Sequence, residues 1–206
     1  MYETELYQRD IAMGDFIAQY QDIDKFMAYC RECPNYNTRW SCPSLSFEVG
    51  EMLAKYDRVH LVGLKMTYDE ETICDADTPE KVKSVTWDTL FVEKRALEET
   101  LLTVESEYAG SQALSSGGCQ YCDVCARTEG KTCIHPDKMR YSLDAFGFDL
   151  TAITADQFGI DLCWSKGALP PYYTLIHALL LPNGADVETI ALAERIREER
   201  ERYFAR

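Results

Sequence analysis

The sequence predicts an α+β protein: a small mixed β-sheet with flanking helices, carrying two cysteine-rich metal-binding loops. Three observations lead there. The runs RVHLVGLKM (58–66) and YYTLIHALLL (172–181) are apolar and rich in the side chains that favour buried strands. The stretch from Thr78 to Glu105 repeats apolar residues at helical spacing. Seven of the nine cysteines fall into two tight groups, Cys30, Cys33 and Cys42, then Cys119, Cys122, Cys125 and Cys133.

Along the chain, DIAMGDFIAQY is a mixed segment, and QDIDKFMAYC places Ile23, Phe26, Met27 and Tyr29 on one face of a short helix running into the first cysteine loop. SFEVGEMLAKY has a second helical pattern through Phe47, Val49, Met52 and Leu53. Thr78 caps and Pro79 opens one long amphipathic helix reaching Glu105, closed by Tyr108-Ala109-Gly110. SQALSS is a short strand entering the second cysteine loop. Asp137 to Phe146 reads as a helix ending at Gly147, followed by another short helix within FGFDLTAITADQFGI. Residues 160–166 and 172–181 form two strands joined by the GALPP loop. Asp186 caps a final helix whose apolar face is Val187, Ile190, Leu192 and Ile196. The expected organisation is a single metal-binding domain over 1–184, with cysteine loops at 30–43 and 117–136, and a charged C-terminal helix over 185–206.

Length suffices for a full hydrophobic core without disulfide staples. The opening MYETELYQRD lacks the basic and apolar regions of a secretory signal, and the longest apolar run, Tyr172 to Leu181, is too short to span a bilayer. A cytoplasmic location is expected, where clustered thiols mean metal or redox chemistry rather than disulfides. A net charge of −14 argues against nucleic acid and anionic membranes as partners. Both cysteine loops run the other way, with Arg31 and Arg39 in the first and Arg127, Lys131, Lys138 and Arg140 in the second. Cations there suit an anionic cluster, although short windows also fluctuate by chance.

The C-x2-C-x2-C run at Cys119, Cys122 and Cys125 puts three thiolates on one short loop, suited to three corners of an iron–sulfur cube, with Cys133 as the fourth. Seven clustered thiols exceed the four of one zinc site, and a zinc ribbon would separate its C-x2-C pairs. Zinc stays open as the alternative, with Cys30 and Cys33 pairing with Cys122 and Cys125. The ferredoxin pattern is matched only in part, because seven residues rather than three precede the last cysteine. The expected cofactor is one or two iron–sulfur clusters, 4Fe–4S in type. Cys30, Cys33 and Cys42 lack a local fourth ligand; they suit a 3Fe–4S cluster, a 4Fe–4S cluster with an open iron, or a cluster that borrows a cysteine from the other loop. Cys74 and Cys163 read as small buried side chains, Cys163 being the better reserve ligand. His60 and His177 read as satisfied sheet residues, and His135 as a candidate ligand or hydrogen-bond donor to a sulfide. Tyr36 and Trp40 read as shields against water. No phosphate-binding glycine motif, no Ser–His–Asp arrangement and no C-x3-C-x2-C spacing is present. No catalytic residue is assigned. An electron carrier implies a redox partner protein, whereas an open iron implies a small substrate and zinc implies an interaction module.

The segments CRECPNYNTRWSCPS and GGCQYCDVCARTEGKTCIHPDKMRYSLDAFGFD resemble the predicted metal-binding proteins of domain-of-unknown-function family 2284, found mostly in anaerobic bacteria and archaea. TLIHALLLP fits the family's closing segment, and the likeness spans roughly residues 15–182. Ser44 stands where the family commonly has a second proline after W-S-C-P. The resemblance implies metal or iron–sulfur binding through the seven cysteines and implies no reaction.

Overall fold

The computed structural model describes residues 1–184 and 192–204, leaving aside the Phe204 side chain. Four strands, β1 (Tyr2–Ala12), β2 (Arg58–Tyr68), β3 (Gln112–Leu114) and β4 (Tyr172–Leu181), form one sheet in the order β1-β2-β4-β3. Every ladder is antiparallel, so the expected mixed sheet reduces to one isolated parallel bridge between Ser115 and Ser142. The two central strands are the two runs that read most clearly as strands, because each is covered on both faces.

Side chains alternate across this sheet with period two. Val59, Leu61, Ile176, Ala178 and Leu180 point to one face, where they meet α1 (Met13–Tyr20), α3 (Val49–Leu53) and α7 (Leu150–Phe158) through Phe16, Leu53, Ile153 and Phe158. Val62, Leu64, Met66, Leu175, Leu179 and Leu181 point to the other. There they pack on α6 (Leu90–Glu107) and α8 (Leu192–Phe204), whose Leu192 and Ile196 are buried. The expected cap Asp186, with Val187 and Ile190, lies outside the described residues. Gly63 is required where β2 passes Phe158: a Cβ there would stand 2.7 Å from the Phe158 ring.

Several elements differ from expectation for identifiable reasons. The single helix over 79–105 is two, α5 (Pro79–Asp88) and α6, broken at Thr89, whose hydroxyl donates to the Val85 carbonyl at 2.6 Å and meets the Tyr68 hydroxyl at 2.5 Å. Residues 160–166 are irregular rather than a strand and pair with no strand of the sheet. Residues 137–143 turn instead of coiling: Ser115 N–H donates to the Tyr141 carbonyl at 2.7 Å, and Arg140 reaches Glu105 of α6 at 2.6 and 2.8 Å. Only a short 3₁₀ turn, Asp144–Phe146, remains of the expected helix, and Gly147 ends it in the left-handed conformation. β1 emerges from a segment whose sequence showed no clear pattern; it is an edge strand with only β2 beside it.

Candidate metal centre

The first cysteine loop starts on a helix. α2 (Ile23–Glu32) is capped by Asp22, whose carboxylate accepts from the Lys25 N–H at 3.0 Å. Cys30 lies in its last turn and Cys33 ends it, with the Cys33 N–H donating to the Cys30 carbonyl. The chain then folds back through Asn37, which takes a left-handed φ of 57° that asparagine tolerates. Asn37 N–H donates to the Pro43 carbonyl at 2.8 Å, and its Oδ1 accepts from the Ser44 N–H at 3.0 Å, so Cys42 is returned toward Cys30 and Cys33.

The second loop is irregular from Gly117 to Cys125, then makes a 3₁₀ turn at Ala126–Glu129. Its conformation is fixed by the first loop. Arg127 donates through Nη1 to the carbonyls of Arg39 (2.9 Å) and Cys42 (2.8 Å), and through Nη2 to Ser44 O (2.7 Å) and Asn37 Oδ1 (3.1 Å). In return Arg39 Nη1 donates to the Cys119 carbonyl at 2.7 Å, and the Cys119 N–H donates to Ser41 Oγ at 2.8 Å. Trp40 Nε1 donates to the Lys131 carbonyl at 3.0 Å. Gly118 lets the strands of loop pass closely: a Cβ there would lie 3.6 Å from Cys42 Sγ and 3.1 Å from Arg39. α6 anchors the other side, with Lys94 Nζ donating to the Gly118 carbonyl at 2.7 Å and Arg95 Nη2 to that of Gln120 at 2.9 Å. The two loops, far apart in sequence, form one interlocked unit.

Cys119, Cys122, Cys125 and Cys133 line a common cavity with Arg39, Trp40, Tyr121, His135 and Met139. The cavity is small, about 10 Å³. Among the described residues no three Cys, His, Asp or Glu side chains stand where they would hold one metal ion. The donor set fits thiophilic metal chemistry: four thiols, aromatic and thioether walls, and a guanidinium at the rim. Burial pushes the Cys119 and Cys122 thiols up; at Cys122 the neighbouring Cys125 and Cys133 add to this and Arg39 opposes it. In the first loop burial raises Cys30 to about 11, followed by the influence of Asp144 and then of Cys33 and Cys42. Cys42 is raised by burial too, with Asp144 and Cys33 adding to it and Ser41 and Arg39 opposing. Asp144 and Cys33 thus act in the same direction on both Cys30 and Cys42. Arg39 acts on thiols of both loops.

Cys74 is exposed on α4 (Glu70–Asp75), not buried, because the helix turns it to solvent. Cys163 is half-buried on the irregular segment before β4. His60 is satisfied, with Nδ1 3.1 Å from Asp10 and Nε2 3.1 Å from Gln8. His177 is not: it is fully buried, neither ring nitrogen has a partner, and burial drives its pKa well down, so it is a neutral core residue. Arg127 entered the sequence reading only as a cation of the second loop; its bond to Cys42, 85 positions away, carries no local signature. Asp144, whose charge acts on Cys30 and Cys42, was not part of the site read in the sequence.

Beside the thiols lies a larger cavity of about 430 Å³, walled by Leu90, Phe91, Leu162, Trp164 and Ile176 among others. Ser116 Oγ, Asp144 Oδ1 and Thr174 Oγ1 line it, and all three are buried without a hydrogen-bond partner. No helix among the described residues is long and apolar enough to cross a membrane. No curated protein and no solved structure matches the chain. The sequence model of one family, described as "Predicted metal-binding protein (DUF2284)", matches residues 17–181, a span that holds both cysteine loops and the two central strands, and the chain belongs to that family.

Proposed function

We propose that this protein is a cytoplasmic iron–sulfur protein that binds through its seven clustered cysteines and passes electrons to a redox partner or carries a cluster. The supporting observation is the convergence of Cys119, Cys122, Cys125 and Cys133 on one cavity locked to the first loop by Arg39 and Arg127. When bound, a 4Fe–4S cluster supplies a one-electron couple. The chain's own part is to hold the thiols, exclude water with Trp40, Tyr121 and Met139, and offset negative charge with Arg39. Val124 and Ile134 are exposed on this loop, giving a partner an apolar foothold next to the cluster thiols.

The test is iron, acid-labile sulfide and zinc content in protein purified without oxygen, with a visible spectrum. Near-equal iron and sulfide with absorption bleached by dithionite is the expected result: about four irons per chain for one cube, about eight for two. Stoichiometric zinc without sulfide overturns the reading in favour of a zinc-stabilised interaction module.

The 430 Å³ cavity, lined by Gly117, Gly118 and Gln120 of the second loop, favours a second reading, an enzyme whose small substrate binds there. Electron transfer predicts reversible reduction with nothing added. The enzyme reading predicts that phenol, an apolar ring with one hydroxyl for Ser116 or Thr174, alters the cluster's electron paramagnetic resonance (EPR) spectrum.

A further inference from the structure

The register of the sheet brings three buried oxygens of the 430 Å³ cavity to one end of the fold. β3 pairs antiparallel with β4 through Leu114 and Ala178, and Ser115 bridges Ser142 in parallel. Ser116 and Asp144 therefore leave that bridge in the same direction, and Thr174 lies on β4 toward the same end. Ser116 Oγ, Asp144 Oδ1 and Thr174 Oγ1 all line the cavity, buried and without a hydrogen-bond partner among the described residues. Such a state is costly, most of all for a carboxylate, unless a ligand satisfies it. Asp144 is the one carboxylate among the described lining residues. Lys94, the one cation there, is already engaged: its Nζ donates to the Gly118 carbonyl at 2.7 Å and lies 3.4 Å from Glu98. Most of the remaining wall is apolar or aromatic, with Phe91, Tyr173 and a largely exposed Trp164.

We propose that this cavity binds a primary ammonium ion carried on a small apolar or aromatic body. The assignment rests on the reading of the cavity as a small-molecule site and names the class of molecule it takes. An ammonium group carries three N–H donors and no acceptor, which suits three buried oxygens that can all accept. Asp144 supplies the opposite charge, so its hydrogen bond is the strong one of the set. Ser116 and Thr174 accept the other two. The organic part lies against Leu162 and Ile176, and the aromatic faces attract the cation further. An alcohol of the same shape has one proton to donate and no charge for Asp144, so it binds more weakly. A carboxylate in its place is repelled.

The full-length chain, purified without oxygen, is titrated at neutral pH with para-fluorobenzylamine and para-fluorobenzyl alcohol, and binding is read by fluorine NMR. Wild type, Asp144→Asn, Thr174→Val and Leu162→Trp are compared, with far-UV circular dichroism to confirm folding. Wild type is expected to bind the amine about tenfold more tightly than the alcohol. Asp144→Asn should remove that preference and leave the alcohol unchanged, while Thr174→Val weakens the amine by a smaller factor. Leu162→Trp fills the cavity and keeps every charge, so it should abolish binding of both and separate this site from the acidic surface of a chain with net charge −14. Equal affinity for amine and alcohol, an amine indifferent to Asp144→Asn, binding that survives Leu162→Trp, or no binding by wild type overturns the assignment. Amine binding with an unchanged EPR spectrum upholds it and overturns the enzyme reading. Phenol altering that spectrum while the amine fails to bind does the reverse.

Discussion

Arg39 is the residue through which the two cysteine groups act on each other. Its guanidinium bonds the Cys119 carbonyl and the Asn35 side chain, and its charge favours the thiolate at both Cys42 and Cys122. On the iron–sulfur reading, removing that charge would disfavour the reduced, more negative cluster. Arg39→Gln should therefore lower the reduction potential by tens of millivolts, on the order of 1 kcal/mol, read by redox titration. The thiols also give a pH signature. Cys30, Cys42, Cys119 and Cys122 are raised above their ordinary value of 9.0, chiefly by burial. Without metal they stay protonated in the fold while the unfolded chain ionises near 9, so stability is full below that pH and is lost as pH rises toward about 11 at Cys30. Denaturant titrations from pH 8 to 11 should show this loss in metal-free protein and a smaller one in loaded protein, whose thiolates are already formed.

At the scale of elements, α6 organises the molecule. Its apolar stripe of Ala96, Leu97, Leu101 and Val104 fills one core, while its charged residues reach four neighbours. Lys94 and Arg95 hold the second cysteine loop, Glu105 holds Arg140, and fully buried Glu93 accepts from Tyr2 at 2.7 Å and from Arg200 of α8 at 2.7 Å. Arg200→Ala leaves Glu93 buried against one hydroxyl; it should cost about 3 kcal/mol in urea unfolding, whereas Arg197→Ala, an exposed pair with Glu194, should cost under about 0.5 kcal/mol. α8 is thus tied into the fold by its Leu192, Ile196 and Arg200, although its sequence reads first as a charged tail.

For the whole molecule, the hydrophobic cores lie on the two sheet faces and contain no cysteine, while the metal unit is loop held by hydrogen bonds. Metal removal should therefore abolish visible absorption yet keep most of the far-UV circular dichroism, unlike a zinc finger that unfolds without its ion. Loss of the far-UV signal together with the metal would show instead that the loops carry the fold. Cys119→Ala and Cys30→Ala compared by iron content will show whether the loops act separately: loss of all iron in both means one shared site, and partial loss in each means two.

What the amino-acid order determined by itself is whatever rests on local pattern. The central strands were legible because burial on both faces leaves a continuous apolar run, and the Thr78-Pro79 helix start and the Gly147 turn because capping and left-handed backbone are short-range demands. The cysteine groups were legible because ligand chemistry imposes spacing. β1 was not, because an edge strand with one neighbour tolerates charges along its length; nor were the break at Thr89 and the unwinding of 137–143, where Tyr68 and Glu105 claim groups a helix would have used. Only the tertiary structure brought Arg127 onto Cys42 and α8 onto α6. Those contacts join residues tens to more than a hundred positions apart, so the packing of the sheet, and no local pattern, decides them.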